Sequence, residues 1–322
     1  MSQAAATRPE GDYWAGYRFT PRLIAATRAA VWVMENHLPL LASVDPARGS
    51  VSGPRRVGHG DPAGRGAHDL LALREELWIR WSDGITRFCP ADDDERWIGL
   101  SAAGLAAGDA GVWALTGDGR LARIHPDALG FEPVGEPEVR RHSIAVGHGA
   151  VWALTWTHVP GGSTVSRIDP ESGSIEAQLA MQGSPRQVIV DGDAVYVRVW
   201  RRDGERVEES VLRIDPNEVA PEADLRIRPG AGSAVMDGVI WSPEQDDGDG
   251  PTRARRIDAA TGELLGRVEA PGSITALSPG PGGMWACVER RGQPGGAVMQ
   301  LGPAGTQTIE LDRLEVAAHL PG

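Results

Sequence analysis

The chain has 322 residues, 44 acidic and 32 basic side chains and a net charge of -12. Its pI near 5.2 argues against a nucleic-acid partner, because binding phosphates needs a basic face. No apolar run reaches signal-peptide or transmembrane length, and Cys89 and Cys287 make no disulfide framework, so a monomeric cytoplasmic protein with no membrane partner is expected.

Residues 1–21 read as an N-terminal segment. The first twelve are polar, and residues 13–20, YWAGYRFT, carry aromatics outside any repeat register, as an extra strand or a rim plug would. From residue 22 onward one unit recurs, most completely between His142 and Pro185. There, Ser143 to Val146, Ala150 to Trp156, Thr164 to Ile168 and Ser174 to Leu179 alternate apolar and polar residues between Gly-, Pro- and Asp-rich turns. That is the pattern of antiparallel strands joined by tight turns.

Two landmarks count the units. An apolar-aromatic pair in the second strand recurs at Val31-Trp32, Leu77-Trp78, Val112-Trp113, Val151-Trp152, Val195-Tyr196, Ile240-Trp241 and Met284-Trp285. The turn after the third strand recurs as Asp45-Pro46, Cys89-Pro90, His125-Pro126, Asp169-Pro170, Asp215-Pro216, Asp258-Ala259 and Gly302-Pro303. A period of about 40 to 50 residues with four strands per unit predicts an all-β, seven-bladed β-propeller with four antiparallel strands per blade. The blades fall at 22–57, 68–100, 103–136, 142–183, 186–229, 232–270 and 273–312, within a single domain over 22–322. Each landmark aromatic is expected to fill the wedge between neighbouring blades. The tail 314–322, LEVAAHLPG, resembles the inner strand of blade 1; it either completes that blade and closes the ring or lies against the rim.

In a propeller the starts of the inner strands and the ends of the second strands meet on one face. The residues entering the inner strands are Arg22, His68, Ala103, His142, Arg186, Ser233 and Ser273, so cationic and titratable groups ring one mouth of the channel. The second strands deliver Glu35, His37, Trp81, Trp156, His158, Trp200, Glu244 and Glu289 to that face. Aromatic walls with a few polar groups describe a pocket for a small, partly apolar molecule. His68, His142 or Glu35 then supplies a base, and Arg22 and Arg186 hold developing negative charge. The metal assignment stays open: Mg²⁺ or another divalent ion suits Glu35, Glu244 and the imidazoles, but no pair has diagnostic spacing. The loop Asp246-Asp247-Gly248-Asp249-Gly250 resembles a calcium loop without its later bidentate Glu. No nucleophile elbow, phosphate loop or dinucleotide fingerprint is present.

The repeat V-W-x-x-x, R-I-D-P-x-x-G, G-x-P-x-x-I over residues 22–312 resembles bacterial propellers of the virginiamycin B lyase and YVTN-repeat type. That resemblance implies a Mg²⁺-assisted elimination that opens a cyclic ester, with a His base at the channel mouth. The lyase W-F-T-E motif is matched by Trp32-Val33-Met34-Glu35 and Trp241-Ser242-Pro243-Glu244, whereas blades 3 and 4 carry W-A-L-T. The leading expectation is an enzyme of the lyase, isomerase or cyclase kind acting on a natural-product-like small molecule. The alternatives are a protein-interaction scaffold and a small-ligand-binding propeller without chemistry.

Overall fold

The computed structural model describes residues 18–35, 38–58, 66–125, 127–128, 130–138, 141–157, 162–203, 206–227, 232–244, 252–290, 295–302, 305–311, 314 and 316. These form seven four-stranded sheets, each a meander of consecutive antiparallel strands, which is the predicted seven-bladed β-propeller. No helix among them is long and apolar enough to cross a membrane. The inner strands are Pro21–Ala26, Asp69–Leu73, Ala102–Gly108, Arg141–Gly147, Ser184–Asp191, Ala234–Met236 and Ser273–Gly280. Each packs beside the next around the ring, and the last packs beside the first.

The landmark aromatics explain why the sheets stand side by side. Each lies in the second strand of its blade, and each belongs to an apolar cluster drawn from that blade and its successor. Trp152, for example, packs with Leu154 and Val165 of blade 4 and with Val188, Val197 and Leu212 of blade 5. Trp78, Trp113, Trp152 and Trp285 are completely buried. The arginine of the R-I-D turn motif is the cross-strand partner of this aromatic, as in Trp113 with Arg123 and Trp241 with Arg256. Both guanidiniums sit over the ring, 5.3 Å from its centroid.

Among the described residues, blade 1 is a sheet of four consecutive strands, Pro21–Ala26, Val31–Glu35, Leu40–Val44 and Val51–Arg56. Leu314 and Val316 pack into a seam cluster with Phe19, Ile24, Val31, Trp285 and Cys287. The seam is also crossed by the Arg22–Glu289 ion pair at 3.3 Å and by Thr275 Oγ1 donating to Pro21 O at 3.2 Å. Cys287 is buried there, and burial pushes its thiol well above the ordinary range, so it stays protonated and inert.

The D-P-x-x-G turns are held by their aspartates. Asp169 Oδ1 accepts from the backbone N–H groups of Glu171 and Ser172, and Gly173 closes the turn at a φ of 71°, which suits a residue without Cβ. Asp45, Asp215 and Asp258 bond two backbone N–H groups in the same way. Backbone donors that bond the ionised form hold all four carboxyls below the ordinary carboxylate range. A depressed folded pKa stabilises the fold above the unfolded value, and that stability is lost as pH falls through the folded value. The thermal midpoint is therefore expected to hold steady above about pH 5 and to fall as pH drops from about 4 to 2. Asp169→Asn keeps the turn but removes one titration, so its acid limb should be shallower; an unchanged limb would show that this cap contributes nothing.

Candidate functional site

The register of the inner strands builds the mouth. In five blades one residue is skipped between paired neighbours near the strand start: Arg22, Ala103, His142, Arg186 and Thr275. A bulge re-aims the extra side chain away from the sheet faces. Blade 2 has a related arrangement, since His68 N–H donates to Arg80 O at 2.7 Å while Asp69 is the register partner of Arg80. Ala103, His68, His142 and Arg186 are exposed, and Arg22 and Thr275 partly so. In blades 1 to 5 the residues read as entering the inner strands, Arg22, His68, Ala103, His142 and Arg186, stand at equivalent strand positions; blades 6 and 7 differ. Thr275 rather than Ser273 takes the position in blade 7, and Ser233 lies two residues beyond the blade 6 position, residue 231, which is outside the described residues. His37 and His158 also lie outside them, as does the acidic loop 246–250.

Several predicted groups are already engaged. Arg22 is spent on Glu289 across the seam. Glu35 is 1% exposed, and its Oε2 accepts from Leu38 N at 2.6 Å, holding the following loop. Glu244 bonds Arg267 of its own blade at 3.0 Å. His68 and His142 belong to blades 2 and 4, with Ala103 between them in the ring. Among the described residues no three His, Cys, Asp or Glu side chains come together as a metal site. Glu35 and Glu244, the two carboxylates read as metal ligands, are turned to a backbone amide and a guanidinium.

Trp81 does not wall the mouth. It is 1% exposed, packed with Met34, Leu41, Val57 and Ala67 between blades 1 and 2, and its Nε1 donates to Thr86 Oγ1 at 2.9 Å. Thr86→Val would leave that buried indole N–H without an acceptor. The expected cost is about 1–3 kcal/mol, read as a lower denaturant midpoint; an unchanged midpoint would mean the bond is dispensable.

What the mouth does assemble lies on blades 4 to 6. His142 Nε2 is 2.9 Å from Pro185 O, next to Arg186. The Arg186 guanidinium sits 3.9 Å over the Trp200 ring, and Arg198 sits 5.9 Å from the same ring. Tyr196, Arg198 and Trp200 alternate along one strand and so share the face toward blade 6. Burial lowers the Arg198 pKa and the charge of Arg186 adds to that, while Glu209 opposes both. Thr155 Oγ1, Ser184 Oγ, Ser210 Oγ and Trp200 Nε1 are buried without a hydrogen-bond partner among the described residues.

Beside this cluster opens a shallow recess with Ile189, Tyr196, Val235 and Ile240 in its wall and Gln187, Arg198 and Ser233 as its polar groups. The inner strand of blade 6 beside it is three residues long, against five to eight in the other blades. The second and third strands of blade 5, Ala194–Asp203 and Arg206–Asp215, are instead ten residues each.

No family model matches the chain, and no curated protein matches it. Among solved structures it is similar to hydrazine synthase of Kuenenia stuttgartiensis, at 12% identity over 96% of this chain and 99% of that one, with a TM-score of 0.66. It is similar to the Pan2 WD40 domain of Neurospora crassa, at 12% identity over 95% and 92%, TM-score 0.60. The Dos1 propeller matches at 9% identity over 94% and 85%, TM-score 0.57. At such identities the likeness shows the fold alone, a β-propeller shared by a protein named as an enzyme and by a WD40 domain.

Proposed function

We propose that the protein is a small-molecule-binding propeller whose ligand sits on the mouth face between blades 5 and 6. The observation that carries this reading is the recess beside the short inner strand of blade 6, apolar in its wall and polar at Gln187, Arg198 and Ser233. A few convergent polar groups over apolar side chains are the usual make-up of a ligand site. The scaffold alternative has weaker support. Among the described residues the exposed large apolar side chains, Phe131, Ile175, Leu264 and Leu265, are divided among the outer strands of blades 3, 4 and 6 rather than gathered in one patch.

The test is thermal unfolding against a library of neutral and charged metabolites, with and without Gln187→Trp, which fills the recess mouth. A ligand at 100 times its Kd adds about 2.7 kcal/mol to stability. A library with no hit, or a shift that survives intact in folded Gln187→Trp, sinks this location.

Turnover by acid-base chemistry, including the elimination of the virginiamycin B lyase type, is the second reading, and His142 favours it. A carbonyl oxygen only accepts, so the bond to Pro185 O puts the proton on Nε2 and makes Nδ1 the basic nitrogen of the neutral ring. Loss of turnover with retained binding in His142→Ala supports it; equal turnover removes His142 as the base.

A further inference from the structure

Six of the seven landmark aromatics are Trp, and the one between blades 5 and 6 is Tyr196. In blades 3, 4 and 7 the indole Nε1 donates to a carbonyl oxygen at the turn that ends the inner strand, that of Ala110, Gly147 or Pro281, so these wedges close around a flat two-ring side chain. Tyr196 is anchored toward the same end. Its cross-strand partner Arg213 draws on its hydroxyl and also pairs with Asp193 of that turn at 3.2 Å. On the mouth side of this smaller ring lies the recess, walled by Ile189, Val235 and Ile240. Arg198 on its lining is answered by Glu209, the cross-strand partner of Trp200, and Arg186 stacks on Trp200 outside that lining. The side-chain amide of Gln187 also lines the recess, and among the described residues it makes no hydrogen bond. Such an amide offers a carbonyl acceptor and an N–H donor along one edge.

Resting on the reading that the recess takes a small molecule, we infer that its ligand is a flat, uncharged ring system carrying a cyclic amide. The ring enters the wedge beside Tyr196, against Val235 and Ile240, as indoles do in the other six wedges. Facing sheets about 10 Å apart admit a planar group and crowd a bulky one. The lactam edge sets one N–H beside one C=O, which matches the edge of the Gln187 amide, so two hydrogen bonds form in one plane. A neutral ligand leaves the balance of Arg198 and Glu209 undisturbed, whereas a carboxylate brings a further charge to be desolvated beside Glu209.

The experiment titrates the full chain by calorimetry with 2-quinolone, with N-methyl-2-quinolone, whose amide has lost its N–H, and with 2-naphthoate, and follows the thermal midpoint. The lactam is expected to bind at least tenfold tighter than either of the others. Gln187→Leu should cost it tenfold, down to the level of the N-methyl compound, while leaving the ligand-free midpoint unchanged. Tyr196→Trp, which puts in this wedge the side chain that the other six use, should abolish binding in a protein whose midpoint shows it folded, and Ile240→Phe narrows the same slot should that variant not fold. Equal binding of the lactam and its N-methyl form, or tighter binding of naphthoate, overturns the amide inference while the recess as a binding place stands. Binding that survives intact in both folded slot variants removes the wedge and the recess together. If none of the three binds, the planar lactam is overturned, and the metabolite library decides the fate of the recess separately.

Discussion

Trp285→Ala is expected to lower the unfolding free energy by about 3–5 kcal/mol, the range for deleting a large aromatic from a packed core. Trp285 is completely buried in the seam cluster, its Nε1 donates to Pro281 O at 3.0 Å, and its ring backs onto Gly280. The cavity cannot refill easily, because its walls belong to two separate sheets whose distance is set by the rest of the ring. Trp32, only half-buried at the equivalent place between blades 1 and 2, should cost less when cut to Ala. Urea denaturation of the two variants measures the difference, and equal losses would mean that the closing seam is packed no more tightly than its neighbour. Hydrogen exchange adds a second readout: blades 7 and 1 are not consecutive in the chain, so the damage should appear as faster exchange in both.

Gly183→Ala has the next largest expected effect, and it acts at the mouth. Gly183 has a φ of 100°, where a residue with a Cβ is strained. A Cβ there would stand 2.5 Å from the carbonyl oxygen of Trp200 and 3.0 Å from Val199 Cγ1. The first is backbone and cannot swing aside, so the strand carrying Trp200 must move. Backbone strain and the clash together should cost about 2–4 kcal/mol. If the recess holds a ligand, binding should weaken by more than stability alone accounts for, since Trp200 and Arg186 lose their stacking distance. A variant with an unchanged midpoint would show that the blade 5 start relaxes freely and that the tight approach is not required.

The fold was legible because its two markers are physically necessary. An aromatic fills each wedge, and a tight turn follows each third strand, held by an aspartate in blades 1, 4, 5 and 6, so both recur with the blade period. The equivalent inner-strand positions were legible for the same reason. The bulged residue sits a fixed distance before the aromatic, from Arg22 and Trp32 to Thr275 and Trp285, and the errors at Ser233 and Ser273 come from starting those strands at the Gly-Ser pairs rather than at that distance. The fate of Trp81 could not be read, because it depends on Val57, Ala67 and Thr86, which meet it only in three dimensions. Glu35 looked like a mouth acid for a similar reason, since its bond to Leu38 N is made by loop geometry. Arg198 was overlooked although its signal was present: Tyr196, Arg198 and Trp200 alternate along one strand, which sets all three on one face.

The closure of the ring has a mechanical consequence. The sheets of blades 7 and 1 are separate meanders, so among the described residues no ladder of backbone hydrogen bonds spans the join. Among the described residues it is held by the apolar cluster around Phe19, Trp285, Leu314 and Val316, by the Arg22–Glu289 ion pair and by single bonds such as that of Thr275 to Pro21. A pull applied between residues 18 and 316 therefore loads side-chain contacts rather than strands in shear. The ring should part there at low force, like a clasp, and open into a still-folded arc of seven blades before any sheet unravels.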